Sequence, residues 1–440
     1  MHFINFKRKI AIFWFRRDLR VYDNAGLYHA LRSGYPVLPL FIFDRHILDA
    51  LDNRQDRRVA FIHHTLAELK ENLRKFDSDL LIEHGTPVTS WEQIIEQYNV
   101  AEVYTNHDYE PYSIQRDQEI EELLNKKNIR FKSFKDQVIF EKQEILTDQG
   151  TPYTVFTPYS ANWKNKINDY FLSAYPIKKY LRHLLKVRLP QMVSLEDLGF
   201  EDSPEPFPPQ EVTPELLEKY EEQRNYPAIE GTSRLGIHLR FGTVSIREIA
   251  RKAYNLSPAF LNELIWRDFY QQILWNFPKV GKGFAFRPEY DLIKWRNNEE
   301  EFKAWCNGKT GYPLVDAGMH ELNQTGFMHN RVRMVVASFL SKHLLIDWRW
   351  GEAYFAEKLL DYDFASNNGG WQWAAGSGTD AAPYFRIFNP AAQTEKFDHK
   401  GEYIKKWLPE LNSLAYPAPI VDHKFARERC LRAYKEALAK

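Results

Sequence analysis

The chain has 440 residues, of which 44% are hydrophobic and 27% charged, with 59 basic and 59 acidic side chains. This is globular composition at a length that calls for two domains. Neutrality is spread as +1 over residues 1–200 and −1 over 201–440, which excludes a strongly basic nucleic-acid-binding domain, so any contact with DNA is expected from a local patch. The longest apolar run, VLPLFIF at 37–43, is too short to span a bilayer. The opening MHFINFKRKI has neither the apolar core nor the small-residue cleavage site of a signal peptide. Cys306 and Cys430 are the only cysteines, so no disulfide framework is expected and a cytoplasmic location fits.

In chain order, KIAIFWF (9–15), VLPLFIFD (37–44), DLLIEHG (79–85), EVYTN (102–106) and IRFKSF (129–134) read as short buried strands. Segments with helical apolar spacing, such as RRVAFIHHTLAELKENLRKF (57–76), lie between them. That alternation predicts an α/β domain over 1–135, a doubly wound, mostly parallel sheet of Rossmann-like type. The loop after the first strand reads FRRDLRVYDN, without GxGxxG, so the usual dinucleotide mode is unsupported there. The pattern loosens from about 150, and the charged, proline-rich EDSPEPFPPQEVTPE (201–215) closes a linker expected over 136–212. Beyond it, helix starts are signalled by Thr213 before Pro214, by the capping box from Ser245 to Glu248, and by Ser257 before Pro258. An all-α domain is expected over 213–440. Within it, SNNGGWQWAAGSG (366–378) satisfies neither helix nor strand propensity, which points to a bound partner.

Several familiar motifs fail. GKT at 308–310 lacks the first glycine of a phosphate loop, because Lys303 stands there. His320–Glu321 begins a zinc-protease pattern, but Gln324 stands where the second histidine belongs; there is also no CxxC, so no metal is expected. No GxSxG elbow is present.

Three constellations remain. In NELIWRDFY (262–270), Glu263, Trp266, Arg267 and Tyr270 share a helix face at i, i+3, i+4 and i+7. They suit either an ion pair beside core aromatics or a face that stacks on a base and accepts from its edge. A helix expected over 327–345 puts Asn330, Arg333, Met334 and Ala337 on one face, as a solvated end turn or a pocket wall. EGTSRLGIHLRFGTVS (230–245) sets hydroxyls and Arg234 beside a helix start, which suits a cap or a pyrophosphate.

FWFRRDLRVYDN (13–24), EGTSRL, LNELIWRDFY, GKTGYPLVDAGMHELNQTGFMHNRVRM and DYDFASNNGGWQWAAGSGTDAAPYFRIFNP occur in this order. On these motifs the chain resembles, nearly end to end, the photolyase/cryptochrome flavoproteins, most closely the class I cyclobutane pyrimidine dimer photolyases. The resemblance implies FAD held in a U shape by the helical domain. Tyr220, Thr232, Ser233, Arg234 and Leu235 would lie at its pyrophosphate region; Arg333, Asp361, Asp363 and Asn367 would lie on the cofactor as well. Asn367 would face flavin N5, where plant cryptochromes typically carry Asp and animal ones often Cys. Glycines in SNNGG would allow a close approach to the flavin.

The same resemblance implies an electron-hopping chain from Trp371 through Trp348 to Trp295. Glu263, Trp266, Asn330 and Met334 would contact the dimer. Photolyases for (6-4) photoproducts place a histidine in the region where this chain offers Met334. Arg224, Arg331 and Arg386 would contact DNA phosphates, with Trp373 bordering the substrate cavity. The implied reaction is light-driven: excited, reduced FAD lends an electron to a flipped-out dimer, two ring bonds break, and the electron returns. Folate-using members carry an Asn–Glu pair where this chain reads Tyr112–Ser113, and a Cys–Lys pair where it reads Gly281–Lys282. A folate antenna is therefore not expected; a deazaflavin, a flavin or no antenna remain open. A monomer acting on UV-damaged DNA is expected. The alternative is a cryptochrome-type photoreceptor, against which Asn367, the dimer-contacting set and an end at Lys440 without a long tail all argue.

Overall fold

In the computed structural model, which describes residues 6–439, the sheet strands are β1 (Phe6–Phe15), β2 (Val37–Asp44), β3 (Leu81–Gly85), β4 (Tyr98–Asn106) and β5 (Arg130–Phe134). The first five residues, part of the segment read as lacking a signal peptide, lie outside the described residues. All pairings are parallel, in the order β3-β2-β1-β4-β5. The doubly wound α/β expectation holds, strand for strand.

The chain divides into two compact units. The first comprises residues up to 139 of the described chain, with 167–211 and 237–252. Its sheet is covered on both faces, and β1 shows why its run of apolar residues is unbroken. Ala11, Phe13 and Phe15 enter one core cluster, while Ile10, Ile12 and Trp14 enter the other. Helices α1 (Ala25–Leu31) and α2 (Arg57–Arg74) supply the first cluster. The second is supplied by α3 (Pro87–Gln97) and α4 (Pro111–Lys126). A buried ionic network holds residues 237–252 in this unit. Arg247 bonds Asp23 (2.8 Å) and Asp136 (2.7 Å), and Arg20 bonds Asp136 (2.6 Å). Burial alone would raise the Asp136 carboxyl, but the two guanidiniums outweigh it and hold the group below its ordinary range.

The second unit comprises 140–166, 212–236 and the described residues from 253 onward, and is helical. Its frame includes α5 (Phe156–Lys166), α6 (Pro214–Gln223), α7 (Pro258–Asn276), α8 (Pro313–Thr325), α9 (Asn330–Ser338), α10 (Trp348–Lys358), α11 (Phe364–Ala375) and α12 (His423–Leu438). The expected starts are real caps: Thr213 accepts from Leu216 N, Ser257 from Phe260 N, and, in the first unit, Ser245 from Glu248 N. The segment expected as a linker is divided between the units, 140–166 in the helical one and 167–211 in the other. Residues 140–166 are tied down by Asp268 of α7, whose Oδ2 accepts from Phe140 N (3.2 Å) and Trp163 Nε1 (3.0 Å).

Two helices depart from the sequence reading. The helix expected over 327–345 begins at Asn330, capped by His329, and ends in a π-helical turn at 339–343. The SNNGGWQWAA stretch is α-helical despite both glycines. Tertiary packing overrides propensity there: α7, α9 and α10 all pack on α11, and a Cβ at Gly369 would lie 2.2 Å from the Tyr270 ring.

Candidate cofactor and substrate site

A cavity of about 400 Å³ opens within the helical unit. From α7 it receives Glu263, Trp266, Arg267 and Tyr270, and from α9 Asn330, Arg333, Met334 and Ala337. These are the two helix faces picked out by spacing, each delivered complete. The loop before α11 and α11 itself add Asp361, Asp363, Asn367, Gly370, Trp371 and Trp373; Arg224 completes the polar rim.

Its walls differ in character. On the α7 side Trp266 is stacked by Phe156 at 3.7 Å with planes 3° apart. Arg224 binds Glu263 at 2.5 Å. Burial pushes the Glu263 carboxyl above its ordinary range and Arg224 opposes that shift. On the opposite side Asp361 accepts from Arg333 Nη2 at 3.0 and 2.9 Å. Asp363 caps α11, accepting from Ser366 N (3.1 Å) and Oγ (2.9 Å), and receives Gln271 Nε2 at 3.3 Å. Asn367, in the cavity wall, donates its Nδ2 to the Glu352 main-chain carbonyl at 3.1 Å.

Tyr220, Thr232, Ser233, Arg234 and Leu235 are not in the cavity wall, although their segment abuts it. A Cβ at Gly236 would lie 2.6 Å from Asp361 Cβ. Arg234, at a left-handed φ of 51°, lies over the Phe327 ring at 4.7 Å, and Arg333 lies over the same ring at 5.6 Å. Tyr220 packs edge-on to Phe260 beneath Arg224. Arg331 and Arg386 also lie outside the wall. Arg331 bonds Asn225 and covers Phe397, while exposed Arg386 offers its carbonyl to Lys342 Nζ at 2.9 Å. His329 does not line the cavity either: its Nδ1 caps α9, and burial with Arg333 and Arg331 nearby pushes it down to about 4.

Trp371 lines the cavity at 2% exposure, and its Nε1 has no hydrogen-bond partner among the described residues. Trp348 is buried in the same core cluster, and half-buried Trp295 packs against it. Two residues near this site were missed by sequence reading. Phe156 backs Trp266 from 110 positions away, and Trp305 meets Trp371 at 6.1 Å. Neither has a local pattern that announces it.

The cavity fits the flavin the motifs imply. Gly370 lies in its wall, and a Cβ there would meet nothing within 4 Å, so the backbone is open to a bound group. One side carries aspartates, an arginine and a side-chain amide suited to a heteroaromatic edge; the other carries an indole platform and a carboxyl suited to a second ring.

A parallel α/β unit paired with a helical unit hollowed in this way defines a class of flavin-holding proteins. Residues 11–177 match the family model described as DNA photolyase, and 260–415 the one described as FAD binding domain of DNA photolyase. A deoxyribodipyrimidine photo-lyase of Vibrio cholerae is 37% identical over 97% of this chain and 100% of its own length. Among solved structures, a class III photolyase from Agrobacterium tumefaciens matches with TM-score 0.86 at 34% identity, over 99% of this chain and 98% of that one. A Synechocystis cryptochrome matches with TM-score 0.82 at 25% identity, over 97% of this chain and 99% of that one. The chain belongs to the DNA photolyase family. Among the described residues, no helix is long and apolar enough to cross a membrane, and no group of three or more His, Cys, Asp or Glu side chains could hold a metal ion.

Proposed function

We propose that this protein repairs cyclobutane pyrimidine dimers in DNA with blue light, using FAD in its reduced form. The observation that carries the reading is the convergence of Glu263, Trp266, Asn330 and Met334 with Asp363, Asn367 and Trp371 on one cavity. A carbon–carbon lyase of this kind needs a cofactor and a lesion in one water-poor space, and these residues form the two walls of such a space.

The chemistry a bound reduced FAD supplies is a photon-driven electron, lent to the dimer and returned. The chain's own residues do the rest. Arg224, Arg331 and Arg386 hold phosphates beside the lesion, and Trp373 borders the entry. Flipping the lesion out costs roughly a few kcal/mol, less for a damaged pair. Stacking on Trp266, worth about 1–3 kcal/mol per base, offsets much of that cost. Glu263 hydrogen-bonds the base edge and steadies charge on the dimer while it carries the extra electron. Asn330 and Met334 fill the remaining wall. Arg333, Asp361, Asp363 and Asn367 would hold the flavin ring system, and Tyr220 and the 232–235 segment beside the cavity would hold its pyrophosphate. Trp371, Trp348 and Trp295 would supply the indoles through which electrons could reach a bound flavin.

We further infer a monomer of the cytoplasm, in keeping with two unpaired cysteines, of which Cys430 is fully buried. The test is loss of thymine dimers from DNA under blue light against a dark control. A flavin-loaded protein that leaves dimers intact in light would favour the photoreceptor alternative.

A further inference from the structure

One titratable group beside the cavity has no part in the repair chemistry above. Glu352 of α10 faces the start of α11 and holds both asparagines there. Its carbonyl oxygen accepts from Asn367 Nδ2 at 3.1 Å, and its Oε1 accepts from Asn368 Nδ2 at 2.8 Å. Asn368, 4% exposed, also donates to Val280 O at 3.3 Å and accepts from Gln372 Nε2 at 3.0 Å. Gln372 Oε1 in turn accepts from Phe286 N at 2.8 Å. One residue thus sets the amide of Asn367, and its carboxyl ends a chain of amides running along α11.

Among the described residues, no cation is dedicated to this carboxyl. Arg349, on its own helix, is shared with Asp347 (3.1 Å) and with Asp291 of the turn Pro288–Leu292. Asp347 itself acts on Glu352 in the opposite sense to Arg349. α11 carries no ionisable side chain, and its cap Asp363 is turned to Ser366 and Gln271. On the π-helical turn packed against α10, Lys342 is bonded to Arg386 O and His343 to His423. Lys282, on the turn packed against α11, is exposed. Burial therefore prevails over Asn368 and Arg349, and the carboxyl is raised to about 7.

We propose that Glu352 is a protonatable positioning residue for the flavin: its side chain, bonded to Asn368, takes up one proton from solvent when the bound flavin is reduced to its anion, while its main-chain carbonyl holds the amide of Asn367 at the cavity. The inference rests on the flavin reading above. The charge balance is simple. Two electrons and one proton make the reduced flavin anion, and a second proton converts the Glu352 carboxylate to its acid. Two electrons then enter with two protons, and no net charge is added beside α10 and α11.

The test is spectroelectrochemical titration of the FAD-loaded protein from pH 6 to 9, with mediators as the electron source. One proton per two electrons moves the midpoint potential about 30 mV per pH unit. The wild type is expected to show about twice that slope above neutrality, and Glu352→Gln the single-proton slope. Glu352→Asp should restore the steep region at a displaced pH. An infrared carbonyl band of a protonated carboxyl should appear on reduction of the wild type and be missing in the Gln variant. A single-proton slope throughout in the wild type overturns the proposal, whatever the variants do; so does an unchanged slope in Glu352→Gln. Failure of the wild type to hold FAD at all would instead overturn the flavin reading.

Discussion

Under the proposed function, lesion recognition turns on Trp266. Phe156 fixes its plane by face-to-face stacking, and Phe269 meets it edge-on at 5.5 Å. Trp266→Ala should weaken binding to dimer-containing DNA by about 1–3 kcal/mol, with undamaged DNA affected less. A filter-binding comparison checks this, and equal loss on both substrates would count against a flipped-out lesion. Trp295→Phe separates two roles. Photoreduction of oxidised flavin should slow severely, while repair by chemically pre-reduced enzyme stays near the wild-type rate; transient absorption and dimer counting read the two. At this scale sequence was a good guide where helix spacing did the placing. Glu263 and Trp266 on one helix, and Asn330 and Met334 on another, were legible because i, i+3 and i+4 positions share a face wherever the helix lies. Phe156 was not legible, since its partner is distant in sequence and only tertiary packing brings them together.

α11 shows most plainly how an element can defy its own residues. Asn367, Asn368, Gly369 and Gly370 are poor helix formers in succession, and the helix exists because three neighbours and the Asp363 cap support it. The two glycines have different reasons. Gly369→Ala should destabilise the fold, because its Cβ would strike the Tyr270 ring. Gly370→Leu should leave the melting temperature within a few degrees while FAD affinity falls at least about tenfold, since the new side chain enters open cavity. Flavin absorbance per protein and calorimetry check the pair, and full FAD occupancy in Gly370→Leu would show that the cofactor lies elsewhere.

Glu352 adds a pH signature to the α10–α11 pair. Its folded pKa, about 7, lies above the unfolded carboxyl's 4.5. The folded state therefore binds more protons between those values, and this contribution to stability is lost as pH rises through that window. Glu352→Gln should remove the loss, gaining up to about 3 kcal/mol relative to the wild type at pH 8 and little at pH 4. Denaturation of the FAD-loaded protein at both values measures the difference.

Over the whole molecule, the sheet was readable because buried parallel strands leave continuous apolar runs. The division into units was less so. Composition marked 201–215 as a boundary, but residues 140–166 are claimed by Asp268 and residues 237–252 by Arg247, through bonds to partners remote in sequence. The net charge of zero sets a further expectation. With only a few arginines to meet phosphates, affinity for damaged DNA should fall with salt at a slope of about 0.9 per phosphate neutralised, and Arg386→Ala should lower that slope by about one without altering preference for the lesion.

The account as a whole is tested most directly by loading the purified protein with FAD, reducing it anaerobically, and mixing it with thymine-dimer DNA in blue light and in darkness. Dimers should disappear only in the illuminated sample, with the flavin still reduced at the end. A protein that binds FAD fully yet leaves the dimer count equal in light and dark would contradict it.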